Sequence, residues 1–170
     1  MMKTLAFLFL LITTIYQSNG QTPSGKSHTT NPLEGIWSLV AVENTNPDGT
    51  KTFPYGQSPV GMLVLDDHDY AIQILKAVRP KVAANDKNKA TPEENAALVQ
   101  GNNSHFGTYS LNESKQLITF HVDHAFYPNW EGTIQERTYT LSDNRLSYVV
   151  TNTTNGGAVT AVVIWEKKKP

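Results

Sequence analysis

The sequence predicts an all-β protein, an antiparallel up-and-down barrel of eight strands with one short helix between strands 3 and 4. Three observations carry that expectation. From Leu33 onward, short runs alternate apolar and polar residues with a period of two, and compact turn signals separate them. One segment after the N-terminus carries a complete set of helix-start signals. The strand count is even and hairpins dominate, which lets the last strand close on the first. A Greek-key sandwich is the alternative architecture for the same pattern.

Met1 to Gly20 reads as a secretory signal: Lys3 at the start, an uncharged apolar run from Leu5 to Tyr16, and small residues at Ser18-Asn19-Gly20 for cleavage near Gly20. The apolar run is short for a membrane span, so no transmembrane segment is expected in the mature chain and the location is secreted or periplasmic. Residues 21–32 are rich in Thr, Ser, Gly and Pro and form a flexible linker that includes a solvated His28. Residues 33–167 form the barrel domain and 168–170 a tail. With 39% hydrophobic and 17% charged residues, the chain has material for one core. It has no cysteine, which excludes disulfides, thiolate metal sites and thiol nucleophiles. Its net charge of -1 gives no electrostatic basis for binding nucleic acid. The sequence sets no oligomeric state.

The first strand is Gly35 to Val42. Asn46-Pro47-Asp48-Gly49 is a turn, and Pro54-Tyr55-Gly56 with Ser58-Pro59 marks an irregular loop. Gly61 to Leu65 and Tyr70 to Ala77 form a hairpin around Asp66-Asp67-His68-Asp69. This acidic tip lacks the glycine and distal glutamate of a calcium loop. Thr91-Pro92-Glu93-Glu94 starts the helix, because Thr91 and Glu94 have capping-box spacing and Pro92 suits the first helical position. The helix runs to about Asn102. Five strands follow at His105 to Leu111, Leu117 to Asp123, Thr133 to Leu141, Leu146 to Thr151 and Ala158 to Trp165. Compact turns at Asn112 to Lys115, Ser142-Asp143-Asn144 and Asn155-Gly156-Gly157 join most of them, and His124 to Gly132 is the one long connection. Three glycosylation sequons begin at Asn102, Asn112 and Asn152, and the tail Lys167-Lys168-Lys169 is a solvated cationic end.

Several segments resemble a known family in family order: Gly35-Ile36-Trp37-Ser38-Leu39-Val40, Pro54-Tyr55-Gly56, Thr91-Pro92-Glu93-Glu94, Phe106-Gly107-Thr108-Tyr109 and Pro128-Asn129-Trp130-x-Gly132-Thr133. Gln135-x-Arg137 and Val163-Ile164-Trp165-Glu166 continue the match. The Gly-x-Trp at the first strand is similar to the lipocalin signature, and the whole set resembles the lipocalin-like domain family over roughly Leu33 to Lys167. The resemblance implies an eight-stranded barrel with an interior cavity. It also implies a structural role for Trp37 as the plug of the closed end. In lipocalins an arginine from the last strands often packs on that indole. Here the last strand offers Glu166 and Lys167 instead, with Arg145 as a substitute.

The stretch from His121 to Arg137 concentrates the groups able to bind or transfer protons. By alternation His121 shares a face with Leu117, Thr119 and Asp123, whereas Ile118, Phe120, Val122 and His124 share the other. His121 and His124 therefore point apart, which argues against a two-histidine metal site. On the next strand Gln135, Arg137, Tyr139 and Leu141 share a face. If that face and the His121 face both point inward, an imidazole, an amide, a guanidinium and a phenol meet near one mouth. Such a cluster orients a ligand carboxylate or enolate. The more apolar Ile118-Phe120-Val122 set favours the opposite assignment, with His121 and Arg137 on the outer, solvated faces. Asn129 and Trp130 in the long connection are candidates for the pocket rim, although Asn129 also suits a turn cap and Trp130 a packing role.

Three functions follow. The first is a secreted protein that binds a small hydrophobic or amphipathic molecule in the barrel through His121, Asn129, Trp130, Gln135, Arg137 and Tyr139, with no metal and no cofactor. The second is a cofactor-independent isomerase or cyclase in which His121 moves a proton while Arg137 or Tyr139 steadies oxyanion charge. It requires those groups to converge on one atom. The third is a ligand-free interaction module of the cell envelope, with a packed interior and an exposed apolar patch.

Overall fold

The computed structural model describes residues 31–151, 153 and 158–169. The signal segment, the linker up to Thr30 and the Asn155-Gly156-Gly157 turn lie outside the described residues. Nine strands form one antiparallel sheet: β1 (Gly35–Thr45), β2 (Lys51–Thr52), β3 (Val60–Asp66), β4 (Asp69–Leu75), β5 (Asn102–Asn112), β6 (Leu117–Ala125), β7 (Ile134–Ser142), β8 (Arg145–Val150) and β9 (Thr160–Lys167). Each of the eight long strands pairs with its neighbour in sequence. β9 then returns to β1 from Trp37↔Lys167 to Thr45↔Thr160, which closes an eight-stranded barrel. The two-residue β2 pairs only with Asn44 and Thr45, on the edge of β1 that β3 leaves free above Ser38. Helix α1 (Pro92–Gln100) follows β4. In chain order it is therefore not between strands 3 and 4 as expected, because the sequence reading had no counterpart of β2.

Local chemistry accounts for the connections. At α1 the Thr91 hydroxyl accepts from the Glu94 amide at 3.2 Å, and the Glu94 carboxylate accepts from the Thr91 amide at 2.9 Å. The other Glu94 oxygen accepts from the Ala83 amide, which ties the helix to the preceding loop. Asp67 at the β3–β4 tip and Gln116 after the β5–β6 turn adopt the left-handed conformation these tight reversals need.

The two ends of the barrel differ. At the end carrying the β3–β4 tip, the interior is solid. Leu33, Trp37, Leu63, Leu65, Ile118, Leu146 and Trp165 are all essentially inaccessible to solvent. Each such side chain contributes about 1.5–3 kcal/mol of burial. The Trp37 indole donates to the Leu33 carbonyl at 2.9 Å. Lys167 Nζ lies 5.2 Å from the Trp37 ring centroid, so the cation on this indole is the last strand's lysine, and Arg145 is exposed.

Two bulges break the alternation. Between Leu39 and Ala41 the β1–β9 register shifts, so Leu39 and Val42 both point inward and Asn44 follows them. Between Phe106 and Gly107 the β5–β6 register shifts with Asp123 as the extra residue. Val122 stays inside and His124 turns outside, not to the Phe120 face that plain alternation assigns it. Gly107 is what this bulge demands: a Cβ there would overlap the His121 carbonyl oxygen and crowd the Asp123 amide nitrogen.

Candidate functional site

At the other end the barrel is open, and a cavity of about 550 Å³ occupies its upper half. That volume falls in the range of small-molecule sites. The walls come from strand ends: Val42 and Asn44 of β1, Ile72 and Ile74 of β4, Asn103 and His105 of β5, Val150 of β8, Ala161 and Val163 of β9. Pro54 and Tyr55 close the gap between β1 and β3, and Trp130, from the 3-10 turn Pro128–Trp130, covers the β6–β7 side.

The register of β6 and β7 decides which predicted residues reach this space. Phe120 pairs with Gln135 and Ile118 with Arg137, and residues directly opposite in a sheet share a face. Phe120 and Ile118 are buried, so Gln135 and Arg137 point inward beside them. Both line the cavity, as does Trp130. His121 pairs with Ile134 and is exposed on the outer wall. The two inward sets on which the clustered site depended are thus incompatible: once Gln135 faces in, His121 faces out. Tyr139 points inward but lies one pleat below Arg137, buried in the solid core and outside the cavity lining. Asn129 is exposed and does not line the cavity. The proton-transfer mechanism built on His121, Arg137 and Tyr139 has no common focus.

Other polar groups that share the cavity with Arg137 are ones the sequence reading did not single out. His105 is 9% exposed, lines the cavity and shares a 2.8 Å hydrogen bond with the Tyr70 hydroxyl through Nδ1. Its ring meets Trp130 edge-on at 5.7 Å and Phe120 at 6.2 Å. Burial, and then the positive charge of Arg137, push its pKa down to about 4. It is therefore neutral at physiological pH and serves as a hydrogen-bonding group. When the phenol donates to Nδ1, the imidazole carries its proton on Nε2. Tyr148 also lines the cavity, and burial pushes its pKa up to about 12. The nearby Trp165 indole N–H works in the opposite direction, although it closes no hydrogen bond of acceptable geometry. Burial likewise raises Tyr70, and the Asp123 charge adds to that effect.

Arg137 carries the one formal charge among these groups. Its Nη2 donates to Gln135 Oε1 at 2.6 Å and its Nη1 to the Glu136 carbonyl at 2.8 Å. Burial pushes its pKa down. A guanidinium has five donors and keeps its charge at any physiological pH. Among the described residues no carboxylate forms an ion pair with it. Nor does any group of three His, Cys, Asp or Glu side chains among them stand close enough together to hold a metal ion. No helix among them is long and apolar enough to cross a membrane.

His105, Tyr148, Tyr55, Asn44 and Asn103 are the cavity groups sequence reasoning missed. The Pro54-Tyr55-Gly56 segment was among the matched motifs, which was the available signal for Tyr55. His105 precedes the Phe106-Gly107 match by one residue. Asn44 lies past the β1 bulge, where plain alternation places it outside.

A family model described as a lipocalin-like domain matches residues 34–168. Among solved structures, the chain is similar to a lipocalin-like protein from Bacteroides uniformis at 16% sequence identity and a TM-score of 0.43, over 80% of this chain and 98% of that one. No curated protein matches the chain. The match to the family model spans the whole barrel, from Glu34 to Lys168, and the chain belongs to the lipocalin-like domain family.

Proposed function

We propose that the protein is a secreted or periplasmic binding protein that holds one small, partly apolar molecule in the open half of its barrel. The observation that carries this reading is the asymmetry of the interior. An eight-stranded barrel has room either to be filled by its own side chains or to hold one small ligand. Here one half is filled, and the other leaves about 550 Å³ bounded by Ile72, Ile74, Phe120, Val42 and Val163. Burying apolar ligand surface against these walls drives affinity at about 25 cal/mol per Å² before ordering costs. Gln135, Arg137, His105 and Tyr148 supply the polar contacts, and Trp130 and Tyr55 flank the entrance. The packed-interior module of the cell envelope is disfavoured by the same void.

The test is native mass spectrometry of gently purified protein from Gln21 onward, followed by extraction and identification of bound species. A small molecule at one per chain, lost when the cavity is filled by Ala161→Trp, is the expected result. A bound species retained by that variant, or none in the wild type, would count against the reading.

A further inference from the structure

The chemical class of the ligand, and the way round it sits, are written in the position of Arg137. This inference rests on the container reading and deepens it. β7 runs from the mouth toward the closed end, with Gln135, Arg137 and Tyr139 on its inner face at successive depths. Tyr139 already belongs to the solid core, so Arg137 is the last inward residue of β7 to touch the void. Its guanidinium sits within electrostatic reach of Tyr70, His105 and Tyr148. Tyr148 and the Tyr70–His105 pair are buried and neutral. The charge therefore lies at the floor of the cavity, away from the entrance.

Arg137 is half-buried, and a charge drawn even part-way out of water without a counter-charge is costly. Arg137 spends two of its donors on an amide oxygen and a backbone carbonyl, and meets no carboxylate among the described residues. A planar fork with free donors in a low-dielectric site matches a carboxylate geometrically. The remaining walls combine the apolar Ile72, Ile74, Val42, Val163 and Ala161 with the uncharged amides Asn44 and Asn103. Among these lining residues the only other formal charge is Glu136, an exposed residue that pairs with Thr119 on the outward face of β7.

We propose that the barrel takes a single-headed anionic amphiphile, a carboxylic acid with an apolar body, which enters head first. Its carboxylate meets Arg137 at the floor, with Tyr148 as a neighbouring hydroxyl, and its body fills the void toward Trp130, Tyr55 and Pro54. In this orientation the far end of the molecule lies at the mouth, so chain length and polar groups at that end are tolerated.

Displacement of a neutral fluorescent reporter, N-phenyl-1-naphthylamine, separates this proposal from the container reading on which it rests. The competitors are decanoic acid, 1-decanol and 10-hydroxydecanoic acid. Decanoic acid is expected to compete at least about tenfold better than decanol, the scale of a hydrogen-bonded charge contact. The ω-hydroxy acid should compete within about threefold of decanoic acid, since its hydroxyl stays near water. Arg137→Gln should remove the preference for acid over alcohol. Circular dichroism and thermal melting show that the variant is folded, and Arg137→Lys should restore part of the preference. If acid and alcohol compete equally with wild type, the carboxylate assignment is wrong while the container stands. A ω-hydroxy acid at least about tenfold weaker than decanoic acid would mean a tail-first ligand and overturn the orientation. A wild-type protein that does not bind the reporter would overturn the container reading and this proposal with it.

Discussion

At the residue scale, the interior keeps His105 and Tyr148 uncharged. His105 is buried, hydrogen-bonded to Tyr70 and held at a pKa of about 4 against an ordinary 6.5. The unfolded chain binds that proton first as pH falls, so folding stability decreases between pH 6.5 and 4 and is level with respect to this group above 6.5. The full effect is on the order of 3 kcal/mol. Chemical denaturation across that pH range should show His105→Gln losing markedly less stability than wild type on acidification. Equal slopes for the two proteins would mean that His105 is not held neutral by the fold. Phe120 is the second decisive residue, since its ring touches Tyr70 at 4.6 Å and approaches Tyr148 at 6.1 Å, forming the partition between core and cavity. Phe120→Ala should cost about 3–5 kcal/mol, lowering the melting temperature by roughly 10 °C, because it joins a new hole to an existing one. A calorimetric melt within about 2 °C of wild type would show that the partition is not structural. His121 marks the limit of residue-level reading. Its chemistry made it conspicuous, but its direction is set by the pairing of Phe120 with Gln135, which no property of His121 itself reveals.

At the element scale, strands and helix were legible because their signals are local. Period-two alternation located all eight barrel strands, and the Thr91-Pro92-Glu93-Glu94 cap located α1. What alternation could not show is where its phase breaks. The bulge after Leu39 carries Val42 and Asn44 into the cavity, and the bulge at Asp123 carries His124 out to stack near Phe106, at 5.5 Å, and beside Glu131. Both depend on the partner strand, so they are pairing facts that one strand's sequence does not hold. The second bulge gives a direct prediction. Gly107→Ala forces a Cβ into the backbone of β6, which has no flexible end to move, and should destabilise the protein by a few kcal/mol. Urea unfolding that leaves the midpoint unchanged would contradict the close approach. The cap of α1 predicts a local effect instead. α1 buries no residue of its own, so Thr91→Ala, a loss of about 1 kcal/mol, should speed hydrogen exchange over Pro92–Gln100 and leave the barrel amides as they were. Exchange accelerated throughout the barrel would show that the helix supports the sheet.

At the scale of the whole molecule, the barrel divides into a half that stabilises it and a half that is free to bind. The closed half carries both core tryptophans, Trp37 and Trp165, and the cation on Trp37; the open half carries the void and the Arg137 guanidinium. The fold class was readable from periodicity, whereas the sequence left open whether Gln135 and Arg137 face inward, a question the pairing of Phe120 with Gln135 decides. The membership of His105, Tyr148 and Asn44 in the cavity was not readable, because it follows from register, bulges and depth along the barrel axis. On the proposed function, the ligand binds inside this open half and binding owes nothing to the outer wall. Fluorescence titration of N-phenyl-1-naphthylamine into wild type, His121→Ala and Ala161→Trp, each shown to be folded by circular dichroism, tests it most directly. The account predicts equal affinity for wild type and His121→Ala, and loss of binding in Ala161→Trp, whose indole fills the cavity. Undiminished binding by Ala161→Trp, or binding lost in His121→Ala alone, would place the site on the outside of the barrel and contradict it.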